Sequence, residues 1–226
     1  MLRFRDRSQA GRLLARRLQR YAGRDDVVVL ALPRGGVPVA YEIARALKAP
    51  MDVFVVRKLG VPGEEELAMG AIASGGVRVL SHELIAELGL TDEDVERVAA
   101  RELAELNRRE RVFRGDRPFP NLEGRVVILV DDGIATGATM RAAIRAVRAY
   151  HPARVNVAVP VGAPQALEAL QGEADELICL LTPDLLMGIG AWYQDFAQLK
   201  DAEVIAYLQR AYTESNAAGQ SVPTHG

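Results

Sequence analysis

The chain has 226 residues, 49% hydrophobic and 26% charged, a make-up that predicts one large globular domain or a domain with an appendage. The formal net charge of -2 gives no basic field for nucleic acid. The single cysteine, Cys179, excludes an intrachain disulfide and fits a reducing cytoplasm. Residues 1–18 lack the apolar core of a signal peptide, and no run of roughly 18 apolar residues predicts a membrane span.

Along the chain, residues 6–21 read as a helix with Leu13, Leu14 and Leu18 on one face and arginines on the other. Residues 27–32 form a short, continuously apolar run, the pattern of a buried strand. A helix over 37–47 follows, with Pro38 in its first turn, then a strand over 51–56. Strands are predicted at 67–72 and 77–80, and helices at 82–88 and 91–113. Thr91 opens the second of these with a Thr-x-x-Asp form of the capping box. A strand at 126–130, a helix at 140–150, a strand at 155–159, a helix at 164–170 and a strand at 177–181 complete the alternation. Alternating strands and helices predict an α/β fold with a parallel sheet flanked by helices. The polar segment 213–226 reads as a disordered tail.

In such sheets ligands bind at the carboxyl ends of strands, and three strand ends carry unusual loops. The first is Asp131-Asp132-Gly133-Ile134-Ala135-Thr136-Gly137-Ala138-Thr139. As plain structure, it is a turn with an acid capping the next helix. Yet a cap needs one side-chain oxygen, not two carboxylates, and paired charges beside a buried strand are costly unless something binds them. Carboxylates there suit sugar hydroxyls or a hydrated Mg²⁺. Small residues leading into a helix N-terminus let backbone N–H groups reach a phosphate. Together they suit a ribose 5-phosphate. The second loop is Pro33-Arg34-Gly35-Gly36, where a guanidinium sits at a helix mouth. The third holds Arg57 and Lys58, followed by Gly60, Pro62 and Gly63. It reads as a solvated charged loop or as a mobile basic one, and lysine occurs only at 48, 58 and 200.

The stretch 127–139 resembles the 13-residue phosphoribosyl diphosphate (PRPP) motif of type I phosphoribosyltransferases. Four apolar residues, two acids, a small residue, Thr-Gly and a hydroxyl residue fall in place. An acidic pair after a strand also resembles response-regulator receivers, but there it follows the first strand and lacks the Thr-Gly-x-Thr turn. The resemblance implies a single domain over 1–212, with a hood from about 1–22 and 182–212. It implies transfer of ribose 5-phosphate from PRPP to a nitrogenous base, with Mg²⁺, in nucleotide salvage. Asp131 and Asp132 would hold the ribose hydroxyls and face Mg²⁺ directly or through water. Gly133 and Ala135 to Thr139 would hold the 5-phosphate. Pro33, Arg34, Gly35 and Gly36 would form the diphosphate loop, which in this family often contains a non-proline cis peptide. Arg57 and Lys58 would lie on a flexible loop reaching the diphosphate, with Lys58, Arg34 and the two acids as the catalytic set.

Trp192 and Tyr193 pack a C-terminal helix or, as the resemblance implies, stack on the base from the hood. Ala135 stands where 6-oxopurine enzymes carry an acid, and the pattern is closer to adenine- and orotate-type loops. The helical segment 81–114 is an insertion, read as a lid or a dimer surface, and a homodimer is expected. His82, His151 and Cys179 have no metal-ligand spacing, and the role of 114–117 is unread. The alternative is a PRPP-binding regulator with little or no turnover. No Gly-x-Gly-x-x-Gly or Walker loop supports a generic nucleotide-binding domain.

Overall fold

The computed structural model describes residues 3–219. Along the chain its elements are α1 (Arg7–Arg17), β1 (Val27–Ala31), α2 (Gly36–Leu47), β2 (Met51–Val53), β3 (Val56–Val61), β4 (Glu64–Ala73), β5 (Val77–Leu80), α3 (His82–Glu87), α4 (Asp92–Arg114), β6 (Val126–Val130), α5 (Ala138–Arg148), β7 (Arg154–Val161), α6 (Pro164–Leu170), β8 (Glu176–Leu181) and α7 (Asp201–Gly219). Five strands form a parallel sheet in the order β2-β1-β6-β7-β8. The fold is α/β, as expected.

Strand alternation explains the unbroken apolar runs. Val27, Val29 and Ala31 of β1 and Val126, Ile128 and Val130 of β6 face one core, with α2, α4 and α7. Val28, Leu30, Val127 and Leu129 face the other, with α5 and α6. A strand covered on both faces has no polar side to show. The carboxyl ends of β1 and β6 lie side by side, joined further by Leu32 N donating to Val130 O at 2.8 Å. That places the first two suspect loops next to each other.

The run 51–56 is not one strand. β2 stops at Val53. At Val55 both backbone groups turn to Ser74, the amide to its Oγ and the carbonyl to its N–H, each at 2.8 Å. From there β3 pairs antiparallel with β4, and β4 with β5, as a separate three-stranded sheet. The expected flexible loop is therefore a β-hairpin. Gly60 lies within β3 at a shift of register, and only Pro62 and Gly63 form the turn. Burial decides this: Leu59, Met69 and Ile72 are fully buried and share a core with Val98, Ala99 and Leu106 of α4.

α4 begins with the predicted capping box, Asp94 N donating to Thr91 Oγ1 at 3.2 Å and Thr91 N to Asp94 Oδ2 at 3.1 Å. Its last residue, Arg114, carries the meaning missing from 114–117. Buried to 7% exposure, it donates to Asp52 Oδ2 (3.0 Å), Glu110 Oε1 (3.1 Å) and Val53 O (3.1 Å). It thereby fastens the end of α4 to the edge strand β2. Burial pushes the Asp52 carboxyl up from its ordinary range, and the Arg114 charge opposes that rise.

Against the expectation of a disordered tail from 213, α7 runs on to Gly219. Val204, Leu208 and Ala211 bury one stripe of it, and Tyr41 Oη donates to Glu214 Oε1 at 2.7 Å. Residues 220–226 of that expectation lie outside the described residues. No helix among the described residues is long and apolar enough to cross a membrane. Cys179 is half-buried in β8 at the margin of the second core, and burial raises its thiol pKa.

Candidate active site

The chain reverses at the end of β1 through Leu32 and Pro33, and the Pro33–Arg34 peptide bond is cis. Gly35 and Gly36 then start α2 hard against the end of β6. A Cβ on Gly35 would sit 2.0 Å from Asp132 Oδ2, and one on Gly36 2.5 Å from Val130 O. Only glycine permits that approach. The two loops read separately from the sequence are therefore one surface, with the acid pair touching the Arg34 loop.

Both carboxylates are largely enclosed. Asp131 Oδ1 accepts from the Asp132 amide at 2.8 Å. Burial, then the adjacent Asp132 charge, raises the Asp131 pKa well above its ordinary value. Burial also raises that of Asp132, but a hydrogen bond and the charge of Arg7 oppose it. Arg7 Nε donates to Asp132 Oδ2 at 2.8 Å, with the two side chains 11% and 15% exposed. The same guanidinium lies 3.8 Å over the Phe196 ring and donates to Ala197 O at 2.9 Å. Tyr193 Oη donates to Asp132 O at 2.6 Å. Asp132 is thus tied to both chain ends, whereas Asp131 is the more strained as an anion.

Beyond the acids the loop is pinned in its middle. Ile134 buries its side chain, donates to Val161 O and accepts from Ala163 N, each at 2.9 Å. Gly137 adopts φ 79 as the N-cap of α5, a left-handed position that suits glycine. Asp131, Gly133, Ala135, Thr136, Gly137, Thr139 and Ile189 line a cleft with about 440 Å³ of free space. It opens at the amino end of α5, where unpaired N–H groups and the helix dipole favour an anion. Ala138 N lies 3.4 Å from Thr136 Oγ1, so one amide of this turn is already drawn inward.

The basic residues divide. Arg34 is 41% exposed and its Nη1 lies 3.6 Å from Asp201 of α7. With Arg7, Gly35, Asp132 and Phe196 it also lines a second cleft of about 720 Å³, on the other side of the acid pair. Lys58 is exposed on β3. It alternates onto the face of Val56, which packs against the core that α5 shares. Arg57 takes the opposite face, toward α4. There its Nε and Nη2 donate to Glu102 Oε2 at 2.9 and 2.6 Å. Arg57, expected to reach the diphosphate, is paired with Glu102 in this structure.

The hood also differs from its reading. Trp192 and Tyr193 are 8% and 3% exposed and pack with Phe4, Ala10 and Val161. The Tyr193 ring lies 5.4 Å from that of Phe4 and 5.0 Å from that of Phe196. Phe4 N donates to Trp192 O and Gln194 N to Phe4 O, so the chain ends meet as one small unit. Neither ring offers a free face for a base; they form the interior of the hood instead. The residues the hood does present are Ile189, against Gly133, and Phe196. Sequence reasoning missed Ile189, Phe196 and Arg7. The Arg7–Asp132 pair spans 125 positions, and Arg7 looked like any arginine on a polar helix face.

Comparison with known proteins agrees with this geometry. A phosphoribosyl transferase domain model matches residues 5–185. Two Mycobacterium tuberculosis proteins, each named "putative phosphoribosyl transferase", are 48% identical over 216 residues, 96% of this chain and 48% of theirs. The chain thus spans about half the length of these relatives. The crystal structure of TT1426 from Thermus thermophilus is similar at a TM-score of 0.83 and 45% identity, covering 92% of this chain and 99% of that one. The matched region takes in all eight strands and both loops of the acid–arginine surface, and on that ground the chain belongs to the phosphoribosyl transferase domain family.

Proposed function

We propose that this chain transfers ribose 5-phosphate from PRPP to a nitrogenous base and releases diphosphate. The observation that carries the reading is the contact between the Asp131–Asp132 pair and the Arg34 loop, beside an open helix N-terminus, in a chain of this family. Asp131 and Asp132 accept from the ribose hydroxyls. Ala135 to Thr139 hold the 5-phosphate at the start of α5. Arg34 and Lys58 neutralise the diphosphate as the bond to C1 breaks and positive charge develops on the sugar. The chain supplies position and charge rather than a covalent nucleophile.

Among the described residues no group of three or more His, Cys, Asp or Glu assembles that could hold a metal. Mg²⁺ keeps several waters and shares substrate phosphates within about six oxygen ligands. The acid pair fits an ion of that kind arriving with PRPP, held by Asp131 and Asp132 directly or through water, where it would offset diphosphate charge. The absence of an acid at Ala135 leaves no general base there, which supports an acceptor other than hypoxanthine or guanine.

Burial of Trp192 and Tyr193 favours one second reading, a PRPP-binding regulator, because it removes the aromatic platform expected for a base. Mass spectrometry after incubation with PRPP, Mg²⁺ and a panel of bases separates the two. A nucleotide product with stoichiometric diphosphate supports the transferase. PRPP binding with no product from any base supports the regulator.

A further inference from the structure

The helical insertion has a role that neither the family nor the PRPP loops assign. The carboxyl half of α4 and the first residue of α7 enclose a cleft with about 500 Å³ of free space, lined by Arg34, Arg108, Arg109, Val112, Phe113 and Asp201. Three guanidinium groups from two distant parts of the chain converge there. Arg34 comes from the turn after β1, Arg108 and Arg109 from α4.

Their counter-charges are too few and are arranged to be exchanged. Among the described residues Glu105 accepts hydrogen bonds from both helix arginines. It takes Arg108 through Nε (2.7 Å) and Nη2 (2.9 Å), and Arg109 through Nε (2.8 Å). Asp201 faces Arg34 at 3.6 Å, too long for a good hydrogen bond, with both side chains about half exposed. Three positive groups against two carboxylates leave an excess of one. Guanidinium forks suit phosphate oxygens, which they meet in paired hydrogen bonds. Glu105 holds the Nε/Nη2 edge of Arg108 and Nε of Arg109, and an anion would meet the remaining guanidinium N–H groups.

We propose that this cleft is an anion subsite contiguous with Arg34 that takes a diphosphate group, with Asp201 as the carboxylate it displaces. The inference rests on the PRPP reading, since Arg34 is shared. The diphosphate has two sources, the group still attached to PRPP or free diphosphate bound beside it. On either source the insertion is the far wall of the diphosphate end of the site.

The test is isothermal titration of inorganic diphosphate, and separately of PRPP with Mg²⁺, into the full chain and two variants. R108Q/R109Q should bind diphosphate at least about tenfold more weakly, because it loses two charged forks. D201N should bind it about threefold more tightly, because Arg34 loses its competitor. A misfolded variant cannot produce that tightening. If the diphosphate is the substrate's own, R108Q/R109Q also weakens PRPP and the two ligands compete. If it is free diphosphate, it binds in the presence of saturating PRPP and only that binding is lost in R108Q/R109Q. Wild-type protein that binds PRPP, with diphosphate affinity within about twofold in both variants, overturns the inference and leaves the transferase reading standing. Wild-type protein that binds neither ligand overturns both.

Discussion

Replacing Asp131 by Asn should stabilise the ligand-free protein while weakening its affinity for PRPP. The Asp131 carboxylate is buried beside another carboxylate, and both burial and that neighbour raise its pKa in the folded chain. The folded state therefore holds the Asp131 proton more tightly than the unfolded state, whose carboxylate titrates near about 3.9. The associated stability is complete below about pH 4 and is lost as pH rises through the elevated folded pKa. The Asp131→Asn side chain keeps an oxygen to accept from the Asp132 amide, the 2.8 Å contact made by Asp131 Oδ1, and carries no charge. A gain of about 1 kcal/mol at neutral pH is in the range of such site-relieving changes, which for a chain of this size is roughly 2–4 °C in Tm. Scanning calorimetry of both proteins from about pH 4.5 to 8.5 should show a gap that opens with rising pH. PRPP affinity should fall by about 10-fold or more, the loss of a hydrogen bond to a charged group. A Tm gap that is flat with pH, or an Asp131→Asn variant that melts lower than the parent at neutral to alkaline pH, would refute the reasoning.

The remaining predictions concern contacts that hold the site together. Arg7→Met leaves Asp132 without its charged partner and should cost roughly 3 kcal/mol in urea unfolding at neutral pH; a change under about 0.5 kcal/mol would mean the pair contributes nothing. Gly35→Ala places a Cβ 2.0 Å from Asp132 Oδ2. It should lower stability by about 1–3 kcal/mol and weaken PRPP, read by calorimetry and titration. Arg114→Met breaks three hydrogen bonds and strands Asp52. Its cost of about 3–5 kcal/mol predicts a Tm lower by roughly 6–20 °C.

What the sequence disclosed and withheld follows the range of each interaction. The five sheet strands and α2, α4, α5 and α6 were legible because periodicity and caps are local; the Thr91–Asp94 box is a signal within one helical turn. The acid pair, the small-residue loop and the Arg34 turn were legible because each is contiguous. Their mutual contact was not, since Gly35 and Asp132 meet only after β1 pairs with β6. The 57–66 segment misled because glycine, proline and charge mark loops. The burial of Leu59 and Met69 against α4 made it a hairpin. Trp192 and Tyr193 misled because an aromatic that packs and one that stacks are spelled the same. Residues 213–219 looked too polar to order, and the helix α7 that includes them is tied to Tyr41, far earlier in the chain.

The preformed hairpin bears on the heat of binding. Lys58 rides on a strand whose ladder to β4 is already made and whose base is fixed where Tyr150 Oη donates to Ser74 O at 2.5 Å. A loop that ordered around its ligand would surrender about 1–2 kcal/mol of chain entropy per residue. It would also leave the large negative heat-capacity change of folding coupled to binding. A strand pair already packed on α4 surrenders almost none of that. Phosphate binding beside it should therefore be thermally quiet, with a heat-capacity change set by the surface of the ligand and not by the length of the hairpin.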